Sequence, residues 1–226
     1  MRKLLAVAVL GLMCATGSWA QTTPARFETD FQLWNDTQFI VPLNKKKDWN
    51  FVLWTFGRFG NNVRTTTDAR VGGLVTKKVN KYLTLGGGYL YRYANPTFKL
   101  RRYESRYLGI GTVTLPAGRK FTLVNRNMYQ YERRNSRPNA TIIRNRFWLK
   151  RELTIAEKKF EPFVSFESFY DATAKKFVRN RTQAGVTHKF SPKFAADFFY
   201  VRQNEGGNRT RPGTLNGIGT SFRVNF

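Results

Sequence analysis

The chain has 226 residues, one cysteine, 41% hydrophobic and 15% aromatic residues, and a formal net charge of +25. Its length suits one domain, and no apolar run after the first twenty residues reaches the 18 of a membrane-spanning helix, so a helical membrane protein is excluded. Such a charge usually marks a nucleic-acid binder, but arginines scattered through strand positions of an exported chain point elsewhere: to lipopolysaccharide phosphates, small anionic solutes, or the protein's own carboxylates.

Residues 1–20 read as a secretory signal. Arg2 and Lys3 form the charged start, Leu4 to Cys14 the apolar stretch, and Gly17-Ser-Trp-Ala20 a small-residue cleavage site before Gln21. Cleavage removes the only cysteine, so no disulfide, thiolate nucleophile or Cys-ligated metal is expected in residues 21–226. That remainder reads as one outer-membrane β-barrel domain.

Period-2 segments then follow almost without interruption. They are Phe27–Leu33, Gln38–Leu43, Trp49–Phe59, Arg64–Thr76, Tyr82–Tyr93, Lys99–Leu115, Lys120–Glu132, Thr141–Glu152, Glu161–Tyr170, Phe177–Lys189, Phe194–Arg202 and Leu215–Phe226. Most have the length a tilted strand needs to cross a bilayer, and exceed the five or six residues usual in soluble sheets. The expected fold is therefore all-β: a transmembrane, antiparallel, up-and-down barrel. Taken as one strand, Phe27–Leu43 makes an odd total of eleven, disfavoured in bacterial barrels. Splitting it at Trp34-Asn-Asp-Thr37 gives twelve, and ten strands with an N-terminal extension is the alternative. Compact turns at Asn44–Asp48, Lys77–Lys81, Pro116–Arg119 and Ser191–Lys193 alternate with longer or more polar connections, which predicts a periplasmic and an external rim.

Strand parity assigns the faces. Leu83, Leu85, Gly87, Tyr89 and Tyr91 are expected to face lipid, as are Ile143, Phe147 and Leu149, and Val178, Ala184 and Val186. Trp34, Trp49, Tyr82, Tyr93, Tyr103, Tyr131 and Tyr170 fall near predicted strand ends, where interfacial girdles belong. The opposite face carries an expected lumen charge network: Arg102, Glu104, Arg106, Arg126, Glu132, Arg144, Arg146, Glu152, Glu167, Arg179, Arg181 and Asp197. Arginine's planar fork pairs bidentately with carboxylates on neighbouring strands. Such a network either fills the barrel and fixes its register or, with cations in surplus, lines a narrow passage or pocket for small anions. Arg133, Arg134, Arg137, Lys175, Lys176, Arg209 and Arg211 are placed in external loops, against lipopolysaccharide phosphates.

The last strand alternates Ile218, Thr220, Phe222, Val224 and Phe226 against Gly217, Gly219, Ser221, Arg223 and Asn225. Its open edge needs a closing neighbour, expected in Phe27–Leu33. Phe222, Val224 and the terminal Phe226 resemble the C-terminal signal read by the outer-membrane barrel-insertion machinery.

No catalytic constellation is marked. His188 is the only histidine and is expected at the interface, while Ser165 and Ser168 are hydroxyls without a visible activating base. One His and scattered carboxylates make no convincing transition-metal site, and no cofactor or nucleic-acid partner is expected. A lipid-modifying enzyme and an exported soluble β-protein binding acidic glycans are the competing classes.

Several segments carry a family resemblance: Leu33-Trp34, Trp54 to Arg58, Leu85-Gly-Gly-Gly-Tyr-Leu-Tyr-Arg92, Arg102-Tyr-Glu-Ser-Arg106, Arg126 followed by Arg144-Asn-Arg146, and Asn180-Arg-Thr-Gln-Ala-Gly-Val-Thr187. In order and spacing the chain resembles the bacterial outer-membrane barrels grouped as DUF2490, although Arg102–Arg106 departs from an Arg-Pro-containing stretch usual there. The resemblance implies an outer-membrane barrel and supplies no activity or catalytic residue. The expected function is structural, or a narrow porin-like passage.

Overall fold

A computed structural model describes residues 29–60, 62–97, 100–118, 120–135, 137–206 and 213–226. The expected signal segment, residues 1–20, and Arg209 and Arg211 lie outside them. The described residues form twelve strands: β1 Thr29–Pro42, β2 Trp49–Gly60, β3 Thr65–Lys78, β4 Leu83–Thr97, β5 Leu100–Pro116, β6 Phe121–Arg134, β7 Ala140–Arg151, β8 Leu153–Ile155, β9 Lys158–Asp171, β10 Lys176–Ser191, β11 Phe194–Glu205 and β12 Gly213–Asn225.

Eleven strands close the wall and one, β8, stands outside it. The division of the N-terminal segment at Trp34–Thr37 is corrected. Residues 29–42 alternate faces without a break, and β1 pairs with β2 from Leu33↔Phe59 to Pro42↔Asn50. The additional strand is instead the three-residue β8, which pairs only with the first residues of β9 through a turn at Ala156 and Glu157. Both turn residues have positive φ, 46° and 63°, as a two-residue hairpin matched to strand twist requires.

An odd wall forces one parallel pair, since every hairpin-linked neighbour runs antiparallel. That pair is β1 with β12, in register from Thr29↔Thr214 to Ile40↔Asn225. The terminal edge thus finds the neighbour expected of it, but in parallel orientation. Thr29 consequently lies at the rim opposite the C-terminus. We call the rim at which β12 ends the C-terminal rim, and the other the far rim.

Connection length does not separate the two rims, contrary to the alternation expected. The C-terminal rim has connections 43–48, 79–82, 117–120, 152–157 (which carries β8) and 192–193, and the far rim has 61–64, 98–99, 135–139, 172–175 and 206–212. Ladder pairing continues through sequence that reads as loop: β4 and β5 run on to Thr97↔Leu100.

The faces follow parity. Phe51, Leu53, Val71, Val75, Leu85, Tyr89, Tyr107, Ile143, Phe147, Leu149, Phe166 and Ile218 are exposed on the outside of the wall, while Asp68, Arg70, Glu104, Arg106, Glu132, Arg144, Glu167 and Arg181 are buried within. Two residues depart from expectation. A bulge between Phe177 and Arg179 turns Val178 inward, where it packs on Ala140, Ile142 and Phe169. Trp34, assigned to a girdle, sits mid-strand on the inner face and is buried.

Below the mid-height of β2–β6 the interior is apolar: Val52, Trp54, Leu74, Leu90, Leu108 and Met128 form one cluster, backed by Ile40, Phe56 and Ile110. Two inward glycines let β3 and β4 approach beneath it. A Cβ on Gly72 would stand 2.0 Å from the Tyr89 carbonyl oxygen, and one on Gly88 2.2 Å from that of Gly73. Backbone, unlike a side-chain tip, cannot yield cheaply to such contacts.

Candidate functional site: the barrel interior

Acidic residues two apart from an arginine recur on three strands: Asp68 and Arg70 on β3, Glu104 and Arg106 on β5, Glu132 and Arg134 on β6. Residues i and i+2 share a strand face, so each pair meets within its own strand and then reaches the next. Asp68 accepts Arg70 Nε and Nη2 at 2.8 and 2.7 Å, and Arg92 Nε and Nη2 at 2.9 and 2.7 Å. Arg92 also donates to Glu104 at 2.8 Å, which accepts from Arg106 and Arg137 as well. Arg106 stands 3.1 Å from Glu132, itself held by Arg134 and Gln130.

The belt continues round the wall. Arg144 donates Nε and Nη2 to Glu167 at 2.9 and 2.6 Å and Nη1 to Gln130 at 3.4 Å. Arg181 donates to the other Glu167 oxygen at 3.1 Å and, through Nε and Nη2, to Gln203 at 3.0 and 2.7 Å. Gln203 and Arg179 both donate to Glu205, at 2.8 and 3.1 Å. Across the parallel seam the link is aromatic: the Arg58 and Arg181 guanidiniums lie 3.8 and 4.8 Å from the ring of Trp34, whose Nε1 donates to Gln32 at 2.9 Å. Glu104, Glu167 and Gln203 are each only 1% exposed, so this half of the lumen is filled by side chains.

Of the expected network, Glu104, Arg106, Glu132, Arg144, Glu167, Arg179 and Arg181 are gathered in this belt, and Arg102 occupies the inward parity of β5 beside Ala94. Glu152 is corrected: it falls past the end of β7, half exposed, and pairs at 3.2 Å with Lys159 in the rim hairpin. Asp197 is inward but remote from the belt, where it accepts from Thr187 at 2.7 Å and Arg223 at 2.8 Å. Arg134 and Arg137, assigned to external phosphate binding, are corrected to belt residues. Parity puts Arg92 and Gln130 on the inner face as well, but the expected network leaves out Arg58, Asp68, Arg70, Gln203 and Trp34; the repeated acid–x–arginine pattern is the available signal for the β3 pair.

The half nearer the C-terminal rim is different. Between β6–β7 and β10–β12 a cavity of about 260 Å³ is lined by Arg126, Arg146, Lys150 and Arg223 with Asp36, Asp197, Gln38, Gln183, Trp148 and Ser221 among its neighbours. A smaller cavity of about 50 Å³ lies between it and the belt, bordered by Arg58, Arg70, Arg126, Arg144, Arg146 and Arg181 and by one carboxylate, Asp36. Arg126 and Arg146 line both.

These two arginines lack the carboxylates of the belt. Arg146 stacks 3.9 Å from the Trp148 ring and donates Nη2 to Ser165 at 3.2 Å and to Gln183. Its Nε is buried without a partner. Arg126 rests 5.0 Å from Trp148 and 6.0 Å from Trp54. Asp36, the nearest acid lining both cavities, accepts instead from Trp54 Nε1 at 2.7 Å. Arg223 and Lys150 are matched to Asp197 and Glu161 at 2.8 and 3.9 Å.

The candidate catalytic groups are not brought together. His188 faces outward at the C-terminal rim, stacked on Phe160 at 4.7 Å and edge-on to Phe190 at 4.6 Å, with Nδ1 3.0 Å from the Lys159 carbonyl oxygen. Ser165 is inward and buried, and Ser168, of opposite parity, is outward. On the last strand Phe222 stacks on Phe194 at 6.0 Å, Val224 shares its outward face, and the Phe226 amide donates to the Ile40 carbonyl at 3.1 Å.

No curated protein and no solved structure matches the chain. One family model does, that of the protein of unknown function DUF2490, over residues 31–211, which takes in every belt strand and Trp34 at the seam. The chain belongs to the DUF2490 family.

Proposed function

We propose that this protein is a non-enzymatic barrel of the bacterial outer membrane, exported by its signal segment, whose lumen is sealed by the ionic belt. On this reading it is a structural barrel and not an open porin. The observation that carries the proposal is the inversion of the wall: aliphatic and aromatic side chains outside, ion pairs inside. In water so large an apolar surface is a liability; in lipid it is the requirement, because a closed barrel leaves no unpaired backbone. An eleven-stranded wall lies between the eight-stranded barrels that side chains just fill and the sixteen-stranded ones that hold a channel. Long Arg, Glu and Gln side chains meet that intermediate width.

Phe226, with Phe222 and Val224, suits recognition by the barrel-insertion machinery, and the exposed Arg133 and Lys175 suit lipopolysaccharide phosphates. The test is fractionation, heat-modifiable gel migration and planar-bilayer recording of the full chain. Detergent-dependent recovery with outer membranes, a heat-shifted band and no discrete conductance are expected. Monodisperse recovery in aqueous buffer would overturn the membrane reading, and stepwise conductance of the wild-type protein would overturn the sealed lumen.

A further inference from the structure

We infer that the cavity near the C-terminal rim is a binding site for a small oxyanion of the phosphate class, seated on Arg126 and Arg146 against Trp148. The argument begins with guanidinium chemistry. Arginine stays charged at any accessible pH, so a buried one must find an anion, a set of acceptors or an aromatic face. In the belt each finds a carboxylate or, for Arg58, both the Trp34 face and Asp68 at 4.0 Å.

Arg146 has two amide or hydroxyl acceptors and one ring, with Nε left over. Arg126 makes neither an ion pair nor a hydrogen bond among the described residues; it rests on ring faces, and Asp36, which lines the same cavities, is turned to Trp54 instead. A planar guanidinium on an aromatic ring is held edge-on to whatever approaches, which leaves its fork of donors free for a tetrahedral oxyanion.

The remaining lining fits the same ligand. Gln183 and Ser221 supply neutral polar contacts, Lys150 and Arg223 stand beside the cavity at 22% and 29% exposure, and both of these are already matched to carboxylates. They raise the local potential and leave the two unmatched arginines to bind. At about 260 Å³ the space is below that of drug-sized pockets but ample for phosphate or a phosphate monoester. The ionic belt closes the other end, so a ligand enters from the C-terminal rim and leaves by the same way.

The chemistry is shared by free phosphate, small phosphate monoesters and the phosphate of a lipid headgroup, and the experiment separates them. Wild-type protein in a non-ionic detergent at low salt is titrated with inorganic phosphate, then with glycerol phosphate, then with micelles containing phosphatidylglycerol, following tryptophan emission and calorimetric heat. Trp148 lies beside both guanidiniums, so occupancy is expected to change its share of the emission. Saturation by either soluble anion identifies a free-solute site, and saturation by the lipid micelles alone identifies a headgroup site. Saturation by none of the three overturns the proposal.

Arg126→Gln/Arg146→Gln is expected to weaken the saturable signal at least tenfold, whereas Arg151→Gln, on the outer face at the same rim, leaves it unchanged. Equal binding by the wild type and the double variant would also overturn it. Should the double variant not fold, Arg126→Lys/Arg146→Lys keeps charge but removes the fork, and is expected to weaken binding several-fold. Because binding is read in micelles, failure here is independent of membrane location or conductance.

Discussion

Arginine does two different things in the two halves of this lumen. Toward the far rim Arg70, Arg92, Arg106, Arg144 and Arg181 are stitched to Asp68, Glu104, Glu132 and Glu167. Nearer the C-terminal rim, Arg126 and Arg146 lie on tryptophan beside a cavity. Same side chain, same inward parity, different neighbours. In the first half, charge is neutralised pairwise and the ions act as filler that fixes strand register. In the second, charge is left for something that diffuses in. The contrast separates architecture from candidate function within one barrel.

The largest effect expected is all-or-none and concerns the rims themselves. An unbroken β1 puts Thr29 and the 43–48 turn at opposite ends and makes the wall eleven-stranded, whereas a β1 divided at Trp34–Thr37 would put them together and make it twelve. The only native cysteine, Cys14, lies in the predicted signal segment, so single-cysteine variants give a clean readout. Thr29→Cys is expected to react with an impermeant maleimide on intact cells, and Lys46→Cys only after the outer membrane is opened. Labelling of both from the same side would break the eleven-strand closure.

Next comes the belt. Glu104 receives Arg92, Arg106 and Arg137 and is buried, so Glu104→Ala takes a carboxylate from three guanidiniums at once: Arg92 keeps Asp68 and Arg106 keeps Glu132, while Arg137 loses the ion pair that holds it. Removing one partner of a buried pair costs about 3–5 kcal/mol, read as a lower urea midpoint for unfolding from lipid vesicles. Arg126→Gln should sharpen the comparison from the other side. It abandons no carboxylate, and its expected cost is under about 1 kcal/mol. A loss as large as that of Glu104→Ala would show that both halves are structural.

Much of this was legible from period-2 alternation, because a strand's inside and outside are fixed by parity alone. The faces of β4, β7 and β12 and the inward Glu104, Arg144 and Glu167 follow from it. Three kinds of fact do not. Parity is blind to bulges, so it points Val178 outward. Strand ends depend on pairing rather than composition, so the pattern puts Glu152 in the lumen and Arg134 outside it. Above all, which arginine meets a carboxylate depends on contacts across strands. Arg144 and Arg146 are two residues apart with the same parity, yet only Arg144 reaches Glu167 in an ion pair; Arg146 turns to Trp148.

The smallest effect lies outside the wall and gauges how little a rim charge contributes beside a lumen charge. In the 43–48 turn the Asn44 side-chain amide donates to Asp48 Oδ1 at 2.5 Å. That bond, with Lys77 and Lys46 nearby, holds the exposed Asp48 carboxyl below its ordinary value. A depressed folded-state pKa stabilises the fold above the unfolded value, about 3.9 for Asp, and the contribution fades as pH falls through the folded value. Asp48→Asn keeps the turn's shape while removing the charge. The melting-temperature difference between wild type and Asp48→Asn should therefore be small and constant at neutral pH, shrink below about pH 4, and weaken with added salt as exposed charges are screened. A difference that grows on acidification would reverse the sign and place the charge in repulsion instead.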